Sequence, residues 1–405
     1  MAAAAMAGFS DALDGVPTET RRMVLRRSAM IAVIAFLTLI DLFGSQALLP
    51  TLVDTFGVSP ARMGVAVNAS TIGMAAASLV VALLARKIDR KRGIWICLAL
   101  LAIPTTLLAH APDLATFTAL RVVQGVFMSA AFTLTLTYLS EECHLTAIAG
   151  AMAAYITGNV ASNLFGRLLA ARLADDFGLA HSFYGFAVLN LLGALVAYLY
   201  IGAKDGPRAP PADDAGSVLA AWADHLRNSR LTAMFAIGFI LLFVFVAAFT
   251  YANSILAQAP FDLPQNRIGL VYFVFVPAIL TTPLAAAAVR SHGAGLPFAG
   301  GIAATLIGLL LLLTASLPAF LVGLALVGAG LFFAQSVATG HVGRVATHDH
   351  AAANGLYLAA YYLGGLSGAF LIGRVFEANG WTASVAILGG LTLVAALLAL
   401  KMRRP

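Results

Sequence analysis

The sequence is poor in charged residues. Only 10% of its 405 residues are charged, whereas 61% are hydrophobic, and the mean hydropathy is +0.92. Soluble domains typically have about 25% charged and roughly 45–50% apolar residues. A water-soluble globule could not hide this much apolar surface. The composition therefore excludes a soluble enzyme, a nucleic-acid-binding protein and a disordered scaffold, and it points to the lipid bilayer as the solvent.

Cysteine is scarce as well, and the common catalytic and cofactor motifs are missing. With only Cys97 and Cys143, neither a disulfide framework nor a cysteine metal cluster is expected. The sequence has no phosphate-binding glycine loop, no His-Glu-x-x-His motif and no Ser/His/Asp set at a consistent depth. We therefore expect no cofactor, no metal site and no enzymatic activity.

Long apolar stretches are what the chain has in abundance. A membrane-spanning helix needs roughly 20 mostly apolar residues, and this criterion predicts twelve spans. In chain order they are 29–50, 63–85, 93–111, 115–139, 145–171, 181–202, 231–258, 267–289, 296–315, 318–340, 351–376 and 381–401. The predicted fold class is an all-α membrane protein with twelve transmembrane helices.

One longer polar segment divides these spans into two sets of six. Residues 203–230 include Pro207, Pro210 and Pro211 and form the only plausible linker. The predicted organisation is a cytoplasmic N-terminal tail (1–28), a six-helix bundle (29–202), a cytoplasmic linker (203–230) and a second six-helix bundle (231–405). Residues 216–229 within the linker region are amphipathic, which is typical of a helix at the membrane surface.

Basic residues outside the spans predict the orientation. Eighteen Lys and Arg side chains fall on the side of the two termini, and three, Arg62, Arg172 and Arg267, fall on the other side. The positive-inside rule then predicts that both termini are cytoplasmic. The net charge of +6 is explained by this topology and requires no nucleic-acid partner.

The fifth and eleventh spans resemble each other. Four residues recur at a constant offset of 207: Tyr155, Gly158, Gly166 and Arg167 return as Tyr362, Gly365, Gly373 and Arg374. One interpretation is chance in a chain rich in Gly and Ala. The other is a pair of related bundles about an axis along the membrane normal, with a substrate site between them.

Local motifs add a family resemblance. Residues 120–125 read Leu-Arg-Val-Val-Gln-Gly, and residues 46–50 read Gln-Ala-Leu-Leu-Pro. Residues 137–142, the pairs at 158–159 and 166–167, and the segment 361–365 fit the same pattern. In these motifs the chain resembles the major facilitator superfamily, in its drug- and metabolite-efflux branch, which includes arabinose-efflux-type permeases. The resemblance implies a monomeric, multi-pass transporter of the bacterial inner membrane that works by alternating access.

Charged residues inside the spans are the first functional candidates, because a charge at the bilayer centre costs about 2.5–3.5 kcal/mol and usually faces a cavity or a partner. Asp41 lies near the middle of span 1, and Arg121 lies about two turns into span 4. We predict Asp41 as a proton-coupling site with Arg121 as its counter-charge or as a contact for an anionic substrate. The alternatives are a permanent structural ion pair for Asp41 and packing against backbone carbonyls for Arg121. Arg167 and Arg374, nearer the span ends, are long enough to reach the membrane surface.

Uncharged polar residues within the spans are the predicted substrate contacts, although such residues also serve as packing contacts between helices. They are Gln46, Asn68, Gln124, Asn159, Asn163, Tyr251, Asn253, Gln335 and Tyr362. Asn253 is favoured because the offset of 207 places it opposite Gln46. Tyr251 points to nearly the opposite face of the same helix, so at most one of this pair is expected to line the cavity.

The sequence thus predicts a secondary active transporter, with proton-coupled efflux of a small organic compound as the first hypothesis. Its partners are a small-molecule substrate, protons and the lipid bilayer. Import or uniport of a small metabolite is the alternative, and a non-transporting membrane sensor or scaffold is a more remote one.

Overall fold

The computed structural model describes residues 18–84, 88–142, 145–201, 218–282, 284–346 and 350–403. In this part of the chain the secondary structure is entirely helical. Residues 203–217 of the predicted linker and residues 1–17 of the predicted N-terminal tail lie outside the described residues, as does residue 202 at the end of predicted span 6. The helix Val218–Arg227, at the end of the linker, packs beside the first helix of the second half.

The helices account for all twelve predicted spans. Spans 1 to 6 are Thr18–Ala47, Pro60–Asn68 continued by Ser70–Leu84, Arg90–Leu108, Leu114–Glu142, Leu145–Phe177 and Leu179–Tyr200. Span 7 is Ser229–Leu256. Span 8 consists of four consecutive short helices, Gln265–Val271, Tyr272–Phe275, Val276–Thr281 and Leu284–His292. Span 9 is Gly295–Leu311, and span 10 is Leu317–Val345. Spans 11 and 12 are the two arms of His350–Leu398, which turns at Gly380, where φ is 78°. The predicted twelve-helix fold is confirmed.

Eight described helical segments are long and apolar enough to cross a bilayer by length and composition alone. One of them, Ala352–Met402, covers both span 11 and span 12. Spans 8 and 9 contribute shorter apolar helices, Arg267–Thr281 and Gly295–Leu311. Large apolar side chains such as Leu310 and Leu397 are about two-thirds exposed on the outer surface, as expected for side chains that meet lipid.

The two halves are built alike. Span 1 packs along span 5 in the first half, and span 7 packs along span 11 in the second. Glycines allow both approaches, because a Cβ on Gly158 would overlap the Ala32 carbonyl oxygen and one on Gly364 would overlap that of Phe239. Ala32 and Phe239 are 207 positions apart, and Gly158 and Gly364 are 206 apart, so the two halves pair equivalent helices with the contacting glycine shifted by one residue.

The halves meet along a boundary formed mainly by two related helix pairs. Span 2 packs against span 11, and span 5 packs against span 8. At one end of this boundary the Ala61 amide donates to Glu377 Oε1 (3.2 Å). Near the other end, a Cβ on Gly355 would lie 2.8 Å from the Ala82 methyl carbon. Spans 2 and 11 are therefore in contact over most of their length.

Candidate functional site

Buried polar side chains form two groups that are joined through spans 1 and 2. The first group surrounds Asp41 inside the N-terminal half, and the second lies at the boundary around Gln46. The two groups occupy successive turns of span 1, since five residues of α-helix rise about 7.5 Å. Both side chains are fully buried.

The Asp41 carboxylate is held by three different helices. Its Oδ2 atom accepts hydrogen bonds from Asn190 Nδ2 (2.8 Å), Thr105 Oγ1 (2.9 Å) and Gln124 Nε2 (3.3 Å). These donors come from spans 6, 3 and 4, so Asp41 points into the N-terminal half and away from the boundary. Its Oδ1 atom has no hydrogen-bond partner. Among the side chains whose burial the structure describes, Asp41 is the only buried acid.

Arg121 is fully buried beside this carboxylate but does not pair with it directly. Its Nε donates to the Val67 carbonyl oxygen (2.9 Å), and its Nη2 donates to Ser70 Oγ (3.1 Å). Its Nη1 donates to Gln124 Oε1 (2.6 Å) and to the main-chain oxygen of Asp41 (3.4 Å). The Gln124 amide therefore connects the guanidinium to the Asp41 carboxylate, and Arg121 also fixes span 2 against span 4.

The second group crosses the boundary between the halves. Gln46 Nε2 donates to Asn68 Oδ1 (2.7 Å), and Asn68 Nδ2 donates to Thr250 Oγ1 (3.3 Å). Asn253 Nδ2 donates to the main-chain oxygen of Gln46 (3.3 Å), and Tyr272 donates its hydroxyl to Asn253 Oδ1 (2.5 Å). Predicted residues from spans 1, 2 and 7 are thus brought together.

Arg167 belongs to this boundary group, contrary to the expectation that it reaches the membrane surface. It is 0% exposed, and its Nη2 donates to Gln46 Oε1. Four aromatic rings from both halves surround its guanidinium carbon at 4.6–5.9 Å and are called the aromatic cage below: Phe43, Phe249, Tyr272 and Phe275. Arg374, its counterpart in the repeat, is exposed and lies over the Phe370 ring at 4.4 Å.

Two predicted residues precede Arg167 on the same face of span 5. Asn159 and Asn163 lie at intervals of four residues before it, the spacing that aligns side chains along a helix. Asn163 is buried, and neither of its amide atoms has a hydrogen-bond partner. The half-buried Asn159 also has an unpartnered Oδ1. This four-residue series is the sequence signal that could have identified Arg167.

The remaining predicted contacts lie elsewhere. Tyr251 is buried and donates its hydroxyl to the Ala369 carbonyl oxygen (2.6 Å), so it faces span 11 while Asn253 faces span 1. Tyr362 is buried and contacts the Tyr361 ring. Gln335 is half-buried and lines a small cavity of about 10 Å³ in the C-terminal half.

This cavity adjoins the aromatic cage. Its other lining residues are Leu241, Phe245, Leu331, Phe332 and Tyr361. The Phe245 ring lies 4.8 Å from that of Phe249 and 5.9 Å from that of Phe275. The apolar cavity is therefore continuous with the rings around Arg167. Within the described ranges, no group of three or more His, Cys, Asp or Glu residues could hold a metal ion.

Two six-helix halves that enclose a polar and aromatic boundary define a multi-pass membrane transporter rather than an enzyme. A sequence model of the Major Facilitator Superfamily matches residues 31–276 and 253–405. The chain therefore belongs to the Major Facilitator Superfamily.

Similar proteins are bacterial transporters. The inner membrane transport protein YnfM of Escherichia coli K12 is 29% identical over 391 residues, which cover 96% of this chain and 92% of YnfM. The uncharacterized MFS-type transporter YybF of Bacillus subtilis 168 is 26% identical over 360 residues, 89% of each chain. The crystal structure of a mutant of the nucleoside transporter NupG has the same fold, with a TM-score of 0.71 at 17% identity, covering 93% of this chain and all of the NupG chain.

Proposed function

We propose that the protein is a proton-coupled exporter of a small organic compound, in which Asp41 carries the proton and Arg121 is its counter-charge. In this proposal the chain acts as a monomer in a bacterial inner membrane with both termini in the cytoplasm. The observation that carries the proposal is the series of hydrogen bonds from the buried Asp41 carboxylate through Gln124 and Arg121 to the residues of span 2 that flank Asn68, which itself contacts the other half.

The Thr105 hydroxyl responds to the protonation state of Asp41. Its oxygen lies 2.9 Å from Asp41 Oδ2 and 2.8 Å from the Leu101 carbonyl oxygen. A hydroxyl has one hydrogen and can serve only one of these acceptors. An ionised Asp41 competes for that hydrogen at Oδ2, whereas a proton on Oδ2 occupies this contact and leaves the Thr105 hydrogen to Leu101. Gain of a proton therefore changes which hydrogen bonds hold span 1 to span 3.

Gln124, Arg121 and span 2 link this change to the boundary. Gln124 connects Asp41 to Arg121, and Arg121 holds span 2 at Val67, one residue before Asn68, and at Ser70, two residues after it. Asn68 lies where span 2 is interrupted between its two helices, and its amide donates to Thr250 of the other half. Protonation at Asp41 can thus bias a contact that separates when the halves rock apart, as two-state coupling requires.

The predicted substrate contacts fall into two classes under this proposal. Asn159, Asn163 and Gln335 have the positions best suited to a substrate, since the amide atoms of Asn163 are unpaired and Gln335 lines the cavity. Gln46, Asn68 and Asn253 act as contacts that open and close the boundary.

The test uses the purified protein in liposomes that contain a pH-sensitive dye, challenged with a panel of small organic acids, amines and neutral compounds. Compound-dependent proton movement is expected in the wild type and in Asp175→Asn, which alters an exposed carboxylate. Asp41→Asn keeps the size of the side chain and is expected to abolish proton movement while still exchanging labelled for unlabelled substrate.

Four results would contradict the proposal. Unchanged proton movement in Asp41→Asn would remove Asp41 from the coupling step. Solute movement without proton movement in the wild type would favour the uniporter, and proton movement in the same direction as the solute would favour the importer. A chain that carries no solute would be the sensor or scaffold.

A further inference from the structure

Arg167 is a buried cation without a buried anion. Asp41, the one buried acid among the side chains that the structure describes, is held by donors from spans 3, 4 and 6. Arg167 Nη2 bonds the Gln46 side chain, but Nε and Nη1, which carry three N–H donors, form no hydrogen bond of standard geometry, and the Tyr272 hydroxyl beside the guanidinium is uncharged. Unpaired buried donors are rare in native proteins and costly, and a buried charge normally has a counter-charge. The structure therefore encloses a buried positive charge and provides no negative group to balance it.

Asn163 adds a second unsatisfied group next to the first. It precedes Arg167 by one helical turn, and both its amide nitrogen and its amide oxygen are buried without partners. An amide and a guanidinium one turn apart present several donors to one point. A carboxylate, which offers two oxygens and about four acceptor positions, fits this set of donors.

The surroundings indicate what the rest of such an anion is. The aromatic cage covers the guanidinium with rings from spans 1, 7 and 8, and the cavity that begins at Phe245 continues the apolar surface. Cation–π contacts stabilise the guanidinium while no anion is bound. The cavity has a volume of about 10 Å³, roughly enough for one water molecule and far below a typical ligand pocket of roughly 300–1,000 Å³, so entry of a substrate requires the halves to separate.

We propose that the transported substrate is an amphipathic organic anion, whose carboxylate binds Arg167 and Asn163 and whose apolar or aromatic part packs among the cage rings. This inference rests on the proposed transport function but does not depend on proton coupling. Because the cage contains residues of both halves, the anion contacts Phe43 on one side and Tyr272 and Phe275 on the other. Binding of the anion would then depend on whether the two halves are in contact at the boundary.

Matched acids and amides test the charge requirement. Calorimetric titration of the purified full-length chain would compare 1-naphthoate with 1-naphthamide and phenylacetate with phenylacetamide, since each pair differs in charge but little in shape. We expect at least one acid to bind about tenfold or more tightly than its amide, because hydrogen bonds to a charged partner are about twice as strong as neutral ones.

Variants then locate the charge. Arg167→Gln is expected to lose the preference for the acid, and Arg167→Lys to retain part of it. Arg374→Gln, which alters the exposed counterpart in the repeat, should leave it unchanged. The inference is overturned if the wild type prefers no acid over its amide, or if Arg167→Gln binds acids as tightly as the wild type.

A labelling experiment on the wild type guards against a variant that fails to fold. Phenylglyoxal modifies arginine, and mass spectrometry resolves each site. The acid that binds is expected to slow modification of Arg167 but not of Arg374, while its amide slows neither. Equal rates at Arg167 with and without the acid would contradict binding there. If the acid still protects Arg167 but Asp41→Asn moves protons normally, the coupling proposal fails and the anion site stands.

Discussion

The Asn253 side-chain amide donates a hydrogen bond to the main-chain oxygen of Gln46, which lies 207 residues before it. This separation equals the offset of the internal repeat, so equivalent positions of the two halves touch each other across the pseudo-symmetry axis. Gln46 is next to the last residue of its helix, and Asn253 lies three residues before the end of its own. The contact therefore holds spans 1 and 7 together on the side of the bundle opposite the chain termini.

Replacing Asn253 by Leu should weaken this closure. The variant removes the donor to Gln46 and the acceptor for the Tyr272 hydroxyl, so the closed arrangement loses two hydrogen bonds of about 1 kcal/mol each. Distances between spin labels at the exposed positions 55 and 258, measured by electron–electron double resonance, should then shift toward longer values.

The matched control for this experiment is Thr392→Val, which removes a buried hydrogen bond within a single helix. It should leave the distance distribution unchanged. If Asn253→Leu does the same, the Gln46–Asn253 contact does not help to close the boundary.

Arg121 should contribute strongly to stability, unlike a surface arginine. Arg121→Gln leaves Asp41 as a buried acid without its neighbouring cation and breaks the contacts to span 2, which should lower the free energy of unfolding by about 3 kcal/mol or more. Arg172→Gln breaks the exposed pair with Asp176, in which the side chains are 77% and 38% exposed. That change should cost less than about 1 kcal/mol. Unfolding of the purified proteins in mixed micelles compares them, and equal losses would contradict the structural role of Arg121.

The glycine one turn after Arg121 has a packing function. A Cβ on Gly125 would overlap the Ser70 carbonyl oxygen, which is backbone and cannot move aside like a flexible side chain. Gly125→Ala should therefore push spans 2 and 4 apart and destabilise the protein by about 1–3 kcal/mol. Gly300→Ala is the control, since nothing lies within 4 Å of its added Cβ. Melting temperatures of the two variants should differ clearly; a normal value for Gly125→Ala would show that the helices adjust freely.

Much of the fold could be predicted from the sequence because the bilayer fixes how long an apolar helix must be. The constant offset of 207 between the halves also predicted that Gln46 and Asn253 lie opposite each other, since it implies equivalent helices. Arg121 was also predicted as the counter-charge of Asp41, because a charge inside a span usually faces a partner. Their link through Gln124, by contrast, depends on side-chain conformations that no spacing specifies.

The different positions of Arg167 and Arg374 could not be predicted from their motifs, which match. Arg167 is buried because its face of span 5 meets the rings of span 8, whereas Arg374 lies on an exposed face of span 11. Which face of a helix meets a neighbour is decided by the packing of the two halves. The local sequence of each span contains only part of that information.

An internal anion should replace the proposed substrate. Asn163→Asp places a carboxylate one turn from Arg167, at a spacing that favours an ion pair. We expect this variant to lose binding of 1-naphthoate. Its free energy of unfolding should be about 1 kcal/mol or more higher than that of the wild type, because the buried donors of Arg167 gain a partner. Titration and unfolding in micelles measure both effects. Wild-type affinity in Asn163→Asp would place the anion elsewhere.

Membrane voltage should distinguish export from import if the substrate is a monovalent anion. Exchange of one inward proton for one outward anion moves two charges in the same electrical sense, so the membrane potential contributes about 4.6 kcal/mol per 100 mV, twice the value for a single charge. Movement of a proton and an anion together in one direction is electrically neutral. Liposomes with a potassium gradient and valinomycin set the voltage at constant pH. Faster acid export from a negative interior, lost in Asp41→Asn, is expected for the exporter, whereas transport that responds to the pH gradient but not to voltage would identify the importer.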